Sequence, residues 1–500
     1  MSMFRSITRP PFLQSSISND QTPTTINLVN DTEEMEDNTM ENLLVAGHDE
    51  EDIETTVEQG FDLTAITAPV TEEPLTVTIQ TQESFVLNSA VSIKFGIIGL
   101  GQAGGKIADE FAICRLPGKE VATYPALAIN TCVADLQALK HIPKSQQIEL
   151  PNYRLGAMRQ PEMGYKAISQ VGVLENILGR VQRVFEGVDH VIVAAGIGGG
   201  TGTGTIQVVC EALAEQGFPV STMITLPRDF DSVEEKKNSV DFLGTFQELI
   251  FSGAISSSII VDNNLLFDRY ITRANSLGLD MDWKVDSNHE IVRIINEMNA
   301  TTGLPSPTTF DGAELTKILS SGGCVTFGKA EIVLPDSSLN ETLALEINNI
   351  LHHGYLSNYN NLSEARYAGI QILMPESMEL GVMMEKTVNE ELKHHMPALI
   401  GNYIGHAQIE GQNSLLIYTI VSGMGLPGRA QDLALLLQTE VDRINEAETK
   451  RTQFTSSEIN LKSPFQKNNC PTPTSNPFAK EQSPNISKSP NPFCQNHPMT

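Results

Sequence analysis

No apolar run in this 500-residue chain approaches the length of a membrane span; the longest are strand-sized. The first residues, Met1 to Arg9, carry no apolar segment of the secretory-signal kind. Cysteine is sparse, with six residues at 114, 132, 210, 324, 470 and 494 and no Cys-x-x-Cys pair. That excludes a disulfide framework or a cysteine zinc site as the organising principle, and the expectation is reduced thiols in a cytoplasmic protein. The histidine pairs 352–353 and 394–395 lack metal-ligand spacing and are expected to sit exposed on helices or loops. A Gly-x-x-x-x-Gly-Lys-Ser/Thr run is also missing, so the chain is not a Walker-type NTPase.

Positive charge is scarce. Thirty-three Lys and Arg face 61 Asp and Glu, for a net charge of −28. Residues 1–90 contain no lysine, two arginines and seventeen acidic residues, while residues 450–500 are mildly basic at +4. The stretch between carries about −17. An acidic body is a poor direct binder of DNA, because phosphate attraction needs basic surface. Any link to DNA is expected to run through an adaptor.

Residues 1–90 show no sustained apolar period and are expected to be disordered, either as a solvated acidic tail or as a partner-binding arm. From Val91 to about residue 262, apolar strand-sized runs alternate with helical patterns. Strands are expected at 93–98, 126–129, 190–195, 220–226 and 257–262, with helices at 165–185, 205–216 and 233–250. This alternation predicts a parallel, doubly wound α/β sheet. A helical pattern at 287–301 leads to a second α/β segment with strands near 325–334, 367–374 and 414–421, and a helix from Gly428 to Thr449 follows. The tail from Lys450 is rich in Ser, Pro and Asn. It repeats a Pro-Phe bead at Pro464-Phe465, Pro477-Phe478 and Pro492-Phe493, which reads as linear docking motifs in a disordered segment.

The densest signal is Gly196-Ile197-Gly198-Gly199-Gly200-Thr201-Gly202-Thr203-Gly204, six glycines in nine residues. It lies between an apolar run, Val191 to Ala195, and a helical pattern from Thr205. Strand, glycine loop and helix N-terminus together make a phosphate cradle. Backbone N–H groups turn inward, the helix dipole favours an anion, and threonine hydroxyls add donors. A second glycine loop, Gly99-Leu100-Gly101-Gln102-Ala103-Gly104-Gly105, follows the first strand. Alone it fits a nicotinamide-cofactor fold, but the second strand ends in Asn130-Thr131 with no ribose-binding carboxylate before Asp135. Two glycine loops on neighbouring strands are better explained as two jaws around one triphosphate. A third loop, Leu155-Gly156-Ala157-Met158-Arg159-Gln160-Pro161-Glu162-Met163-Gly164, supports this. With no Walker lysine, phosphate charge is left to backbone dipoles, Mg2+ and Arg159.

These loops resemble those of the tubulin/FtsZ superfamily of GTPases, in family order over about residues 93–450. Gly198 to Gly204 matches the signature Gly-Gly-Gly-Thr-Gly-Ser/Thr-Gly. Gly99 to Gly105 matches the first glycine loop and Asn130-Thr131 the second. The run from Leu155 to Gly164 is similar to the γ-phosphate loop, Leu-Gly-Ala…Asn-Pro-Glu-Val-Gly. The resemblance implies a tubulin/FtsZ-like fold in which GTP and GDP, with Mg2+, bind at Gly101, Gln102, Ala103, Gly104, Asn130, Gly156, Ala157, Arg159, Gly198, Gly199, Gly200, Thr201, Gly202 and Thr203. Asn263 and Asn288 fall on the positions whose side-chain amides recognise guanine, a base that offers both donors and an acceptor. Asp231, in Thr225-Leu226-Pro227-Arg228-Asp229-Phe230-Asp231, falls in the ribose-side loop. Thr-Leu-Pro-Arg-Asp in that loop, Ile93-Lys94-Phe95-Gly96 and Ser422-Gly423-Met424-Gly425-Leu426-Pro427 are similar to the TubZ branch of plasmid and phage filament GTPases. The acidic head and the modestly basic, Asn-Pro-Phe-bearing tail depart from that branch.

Thr308-Thr309-Phe310-Asp311-Gly312-Ala313-Glu314-Leu315 resembles the loop that family members insert into the next subunit, with Thr309 in place of the family asparagine. Asp311 and Glu314 fall on its two carboxylate positions, where a carboxylate can orient and polarise the water that attacks the γ-phosphate. As a bare residue Asp311 is a good helix N-cap, and one residue can serve both roles. The resemblance implies head-to-tail filaments in which hydrolysis needs assembly, with the tail hooking a DNA-binding adaptor. An FtsZ-like division protein and a non-polymerising nucleotide scaffold are the competing readings. The presence of both Asp311 and Glu314 argues against the scaffold. The expected division is an acidic extension (1–90), a GTP-binding domain (91–285), a central helix (286–302), a smaller activation domain (303–427), a C-terminal helix (428–449) and a tail (450–500).

Overall fold

The computed structural model describes residues 91–457 except 116–121, 279–281, 306–309 and 360. The acidic extension, the Pro-Phe beads and Thr308-Thr309 lie outside the described residues. The described residues through Thr439 form one compact unit.

The first half alternates strand and helix as the apolar periodicity requires. Its strands are β1 (Phe95–Leu100), β2 (Ala126–Asn130), β3 (Gln147–Glu149), β4 (His190–Gly196), β5 (Val220–Leu226) and β6 (Ser257–Asp262). They are wound by helices α1 (Gly101–Phe111), α2 (Val133–Gln137), α3 (Pro161–Ile168), α4 (Val173–Val184), α5 (Gly200–Glu215), α6 (Val233–Phe251) and α7 (Asn263–Leu277). Strands β1, β2, β5 and β6 are buried along their whole length, and β4 along all but its last residue, as a sheet covered on both faces demands.

Helix α8 (Trp283–Thr301) leads to the second half, which holds α9 (Gly312–Leu319), β7 (Cys324–Val333), α10 (Leu339–His352), β8 (Tyr367–Pro375), α11 (Val382–His395), β9 (Gly401–Ile409) and β10 (Ser414–Met424). Helix α12 (Gly428–Ser457) follows and continues past residue 449, where the sequence pattern ended it. The helix expected over 165–185 is two helices, because Gly172 between them takes a left-handed φ of 80° that breaks the hydrogen-bond ladder.

All ten strands join in one sheet, in the order β3-β2-β1-β4-β5-β6-β7-β10-β8-β9. The first six are parallel. Strand β7 meets β6 in parallel through only two residue pairs, Ser258 with Cys324 and Ile259 with Val325. Beyond that narrow junction β10 runs antiparallel to both β7 and β8, and edge strand β9 runs parallel to β8.

Alternate residues feed two cores, one on each face of the sheet. Ile98, Leu100, Val191 and Val193 pack with α4 and α5, whereas Ile97, Ile192, Ala194 and Val261 pack with α1, α8 and α9. Helix α8 buries Ile291, Ile295 and Met298 in the second core, which also takes Val325, Phe327 and Tyr418 from the second half. The central helix thus shares one apolar core with both halves.

Candidate functional site

The strand order reverses at β1 and β4, and connections there leave the carboxyl ends of both strands in opposite directions. In an open α/β sheet this is where ligands bind. A cavity of about 390 Å³ opens at that point. Its walls come from the three loops singled out in the sequence, joined by the segments after β2, β5 and β6 and the first turn of α8.

Two helices aim their N-termini at it. Helix α5 starts at Gly200 and α1 at Gly101, and neither carries a side-chain cap. Their first-turn N–H groups are therefore left for a ligand, and both dipoles favour an anion. Gly101 takes a φ of 68°, and a Cβ there would lie 3.0 Å from the Gly202 nitrogen. The two glycine loops are in mutual backbone contact, which a side chain would wedge apart.

Of the candidate ligand residues, Gly101, Gln102, Ala103, Asn130, Gly156, Ala157, Arg159, Gly198, Gly199, Gly200, Thr201, Gly202, Asp231 and Asn263 line the cavity. Three do not. Gly104 packs α1 onto β4: a Cβ there would sit 2.0 Å from the Ala194 carbonyl oxygen. Thr203 is buried and its hydroxyl donates to the Ile197 carbonyl at 2.7 Å, so it stitches the loop. Asn288 lies one and a half turns into α8, whereas the cavity meets only Trp283 and Lys284 of that helix. Thr201, read as a phosphate donor, shares its hydroxyl with that of Thr131 at 2.8 Å.

The polar lining is tightly paired. Asp135 accepts from Gln102 Nε2 and Asn130 Nδ2, both at 3.1 Å. Arg159, half-exposed and with a φ of 55°, pairs with Glu235 at 3.2 Å. Arg228 pairs with Asp231 at 2.9 Å, and its guanidinium lies 4.3 Å from the Trp283 ring centre and 4.9 Å from that of Phe267. Trp283, Lys284, Arg228 and Glu235 were not legible as site residues in the sequence. The lone tryptophan preceding a helical pattern was the one available signal for a stacking wall.

Among the described residues no group of three or more His, Cys, Asp or Glu is placed to hold a metal. The cavity fits Mg2+ only in the way that ion is usually held, by phosphate oxygens and water with one or two carboxylates. Asp135, Asp231 and Glu235 are the acidic side chains present. The histidine pairs depart from expectation. His353 and His394 are exposed, but His352 and His395 are half-buried and touch, with Nε2 to Nδ1 at 3.2 Å. The four described cysteines are free thiols.

Asp311 and Glu314 are not in the cavity of their own chain. Asp311 is the N-cap of α9: its Oδ1 accepts from the Ala313 N–H at 2.7 Å, and Glu314 Oε2 accepts from the Asp311 N–H at 3.3 Å, a reciprocal capping box. A hydrogen bond between the two carboxyls holds Asp311 below the usual range and pushes Glu314 above it. Asp311 is exposed and Glu314 half-buried, so Asp311 is the carboxyl more open to water.

Residues 94–270 match the model of the tubulin/FtsZ family GTPase domain, and residues 297–434 match that of the TubZ-like C-terminal domain. The chain is similar to the tubulin-like protein TubZ of Bacillus cereus, with 26% identity over 74% of this chain and 86% of that protein. It is 30% identical to the tubulin-like protein CetZ of Pyrococcus horikoshii over 50% of this chain and 68% of that protein. Among solved structures, the helical model of the TubZ-Bt two-stranded filament aligns with a TM-score of 0.66 at 26% identity, covering 75% of this chain and 95% of that one. A GTPγS-form protofilament of Bacillus thuringiensis serovar israelensis TubZ aligns at 0.65 and 25% identity, covering 74% of this chain and 96% of that one.

Proposed function

The chain belongs to the tubulin/FtsZ family, with a TubZ-like C-terminal domain, and on that basis we propose that it is a GTPase that hydrolyses GTP between the subunits of its own filament. One observation carries the reading. The anion cradle opens at the carboxyl ends of the parallel strands, while the paired carboxyls stand at the start of α9, outside that cavity. A head-to-tail neighbour can bring the two together, and heterologous contacts of this kind generate open filaments. The likeness to TubZ filaments and to a GTPγS-form protofilament supports the same arrangement.

The N–H groups at the starts of α1 and α5 receive the phosphates. The amide of Asn263 faces the base, and Asp231 lies on the ribose side. Mg2+, when bound with the phosphates, offsets their charge, and the carboxylates of Asp135, Asp231 and Glu235 are those within reach. Asp311 of the neighbouring copy orients the attacking water and accepts its hydrogen bond, while Glu314 accepts from the Asp311 backbone N–H and fixes the turn that carries it. Hydrolysis then weakens the contact that assembled the site.

The TubZ likeness, which extends to the structure of a type III plasmid segregation TubZ, favours plasmid or phage DNA segregation as the filament's task, with an adaptor held by the tail. The test is GTP-dependent pelleting with phosphate release, for wild type and Asp311→Ala. Cycling wild type and stable, hydrolysis-dead variant filaments support the shared site. Wild type that neither pellets nor releases phosphate with GTP and magnesium overturns it.

A further inference from the structure

Arg429, the second residue of α12, reaches back to the candidate nucleotide site. Its side chain is only 12% exposed, and three groups surround it. Nη2 donates to the Pro227 carbonyl at 3.0 Å. Nη1 lies 2.7 Å from Asp229 Oδ1, and Nε lies 3.3 Å from Asp262 Oδ1. The two carboxylate contacts are ion pairs rather than aligned hydrogen bonds, since neither Arg429 Nε nor Asp229 Oδ1 finds a hydrogen-bond partner of good geometry.

These partners belong to two different loops of the cavity wall. Pro227, Arg228 and Asp231 line it from the segment after β5, and Asn263 lines it from the end of β6. Asn264 ties the same loops together: its N–H donates to Asp262 Oδ1 at 2.9 Å, and its Oδ1 accepts from the Asp229 N–H at 3.3 Å. Arg228, next to Asp229, leans on Trp283. One buried guanidinium therefore holds two carboxylates, from two pocket loops, at close range. Without it the buried Asp262 carboxylate faces the half-exposed Asp229 carboxylate with no cation between them, and the loops that carry Asp231 and Asn263 separate.

We propose that Arg429 is a positioning residue for nucleotide binding: it sets the spacing of loops 227–231 and 262–264, and thereby couples occupancy of the cavity to docking of the first turns of α12. The coupling is reciprocal by linkage: a ligand that fixes the loops also fixes the helix bound to them. The proposal rests on the reading of the cavity as a guanine-nucleotide site.

The experiment is calorimetric titration of the full chain with GDP, for wild type, Arg429→Ala and Arg429→Lys, alongside amide exchange of residues 428–439 in wild type with and without GDP. Arg429→Ala is expected to bind GDP at least tenfold more weakly. Lysine, which keeps the charge but loses the fork, is expected to recover part of the loss. GDP is expected to slow exchange in 428–439 several-fold, a measurement that needs no variant. A merely structural Arg429 predicts a lower unfolding midpoint with GDP affinity within twofold of wild type and unchanged exchange in α12. That result overturns the positioning role alone. Absence of GDP binding by the wild type overturns the nucleotide reading, and the proposal with it.

Discussion

Glu290 of α8 offers a sharp test of how the two halves are held together. Its carboxylate takes an ion pair from Arg293 Nη2 at 2.8 Å, another from Arg273 Nη1 at 3.2 Å, and a hydrogen bond from the Tyr355 hydroxyl. Arg273 also pairs with Asp286, and Arg269 donates to the carbonyls of Gly354 and Tyr355. The group therefore joins α7, α8 and the segment between α10 and β8. Burial pushes Glu290 upward, but Arg293, the Tyr355 hydroxyl and Arg273 outweigh it and hold the carboxyl below its ordinary range.

Glu290→Gln keeps the shape and removes the charge, so that Arg293 meets a neutral amide there and Arg273 keeps only Asp286 of its two carboxylates. Breaking a buried pair in this way costs about 3–5 kcal/mol. With a urea slope of about 3 kcal/mol/M, the unfolding midpoint falls by about 1 M or more. Trp283, the only tryptophan, sits on the same helix, so its fluorescence follows this region directly. Because the folded carboxyl is depressed, its contribution is fully present above the unfolded value near 4.3 and is lost as pH falls through the lower folded value. The gap between wild type and variant should close in that acid window. A variant midpoint within about 0.2 M of wild type at pH 7 would refute the claim that this network holds the halves together.

Three further outcomes are expected. Asp311→Asn keeps a good N-cap, so the unfolding midpoint stays at the wild-type value while phosphate release falls about a hundredfold or more; Asp311→Ala adds a loss of about 1 kcal/mol in stability. His190, fully buried on β4 beside Ser221, is pushed down to about 4 by burial. The unfolded chain then binds a proton that the fold refuses, so stability drops as pH falls from 6.5 toward 4, by about 2 kcal/mol between pH 7 and 5. Urea midpoints at the two pH values should differ less in His190→Gln than in wild type. Cys132 lines the cavity, whereas burial pushes Cys324 up to about 12 and raises Cys210 as well. Peptide mass spectrometry after iodoacetamide should show Cys132 protected by GDP, and Cys210 and Cys324 unmodified with or without it.

The local physics of the chain is legible along the sequence. Gly196 to Gly204 after an apolar run reads as a strand, a glycine loop and a helix start, and the strand and helix stand so at β4 and α5. Asp311 reads as a helix N-cap in the sequence and stands as one at α9, where Glu314 completes a capping box. These features depend on neighbours within a few residues, which the sequence lists in order. Tertiary structure alone decided what depends on distant partners. Edge strand β9, with partly buried and exposed positions, carries too weak an alternation to announce itself, and it exists by pairing with β8. The helix expected across 165–185 splits because one glycine takes a positive φ there. Gly104 and Thr203 sit in the right motifs but serve packing and loop closure, since the cavity faces other atoms of the same loops. Trp283, Arg228 and Arg429 are separated by up to 201 residues, and only the closure of the sheet at β6 and β7 brings the start of α12 against the loops after β5 and β6. A short-range pattern fixes an element and its ends. Which side chains share a wall is set by the fold, because it depends on how remote apolar faces bury one another.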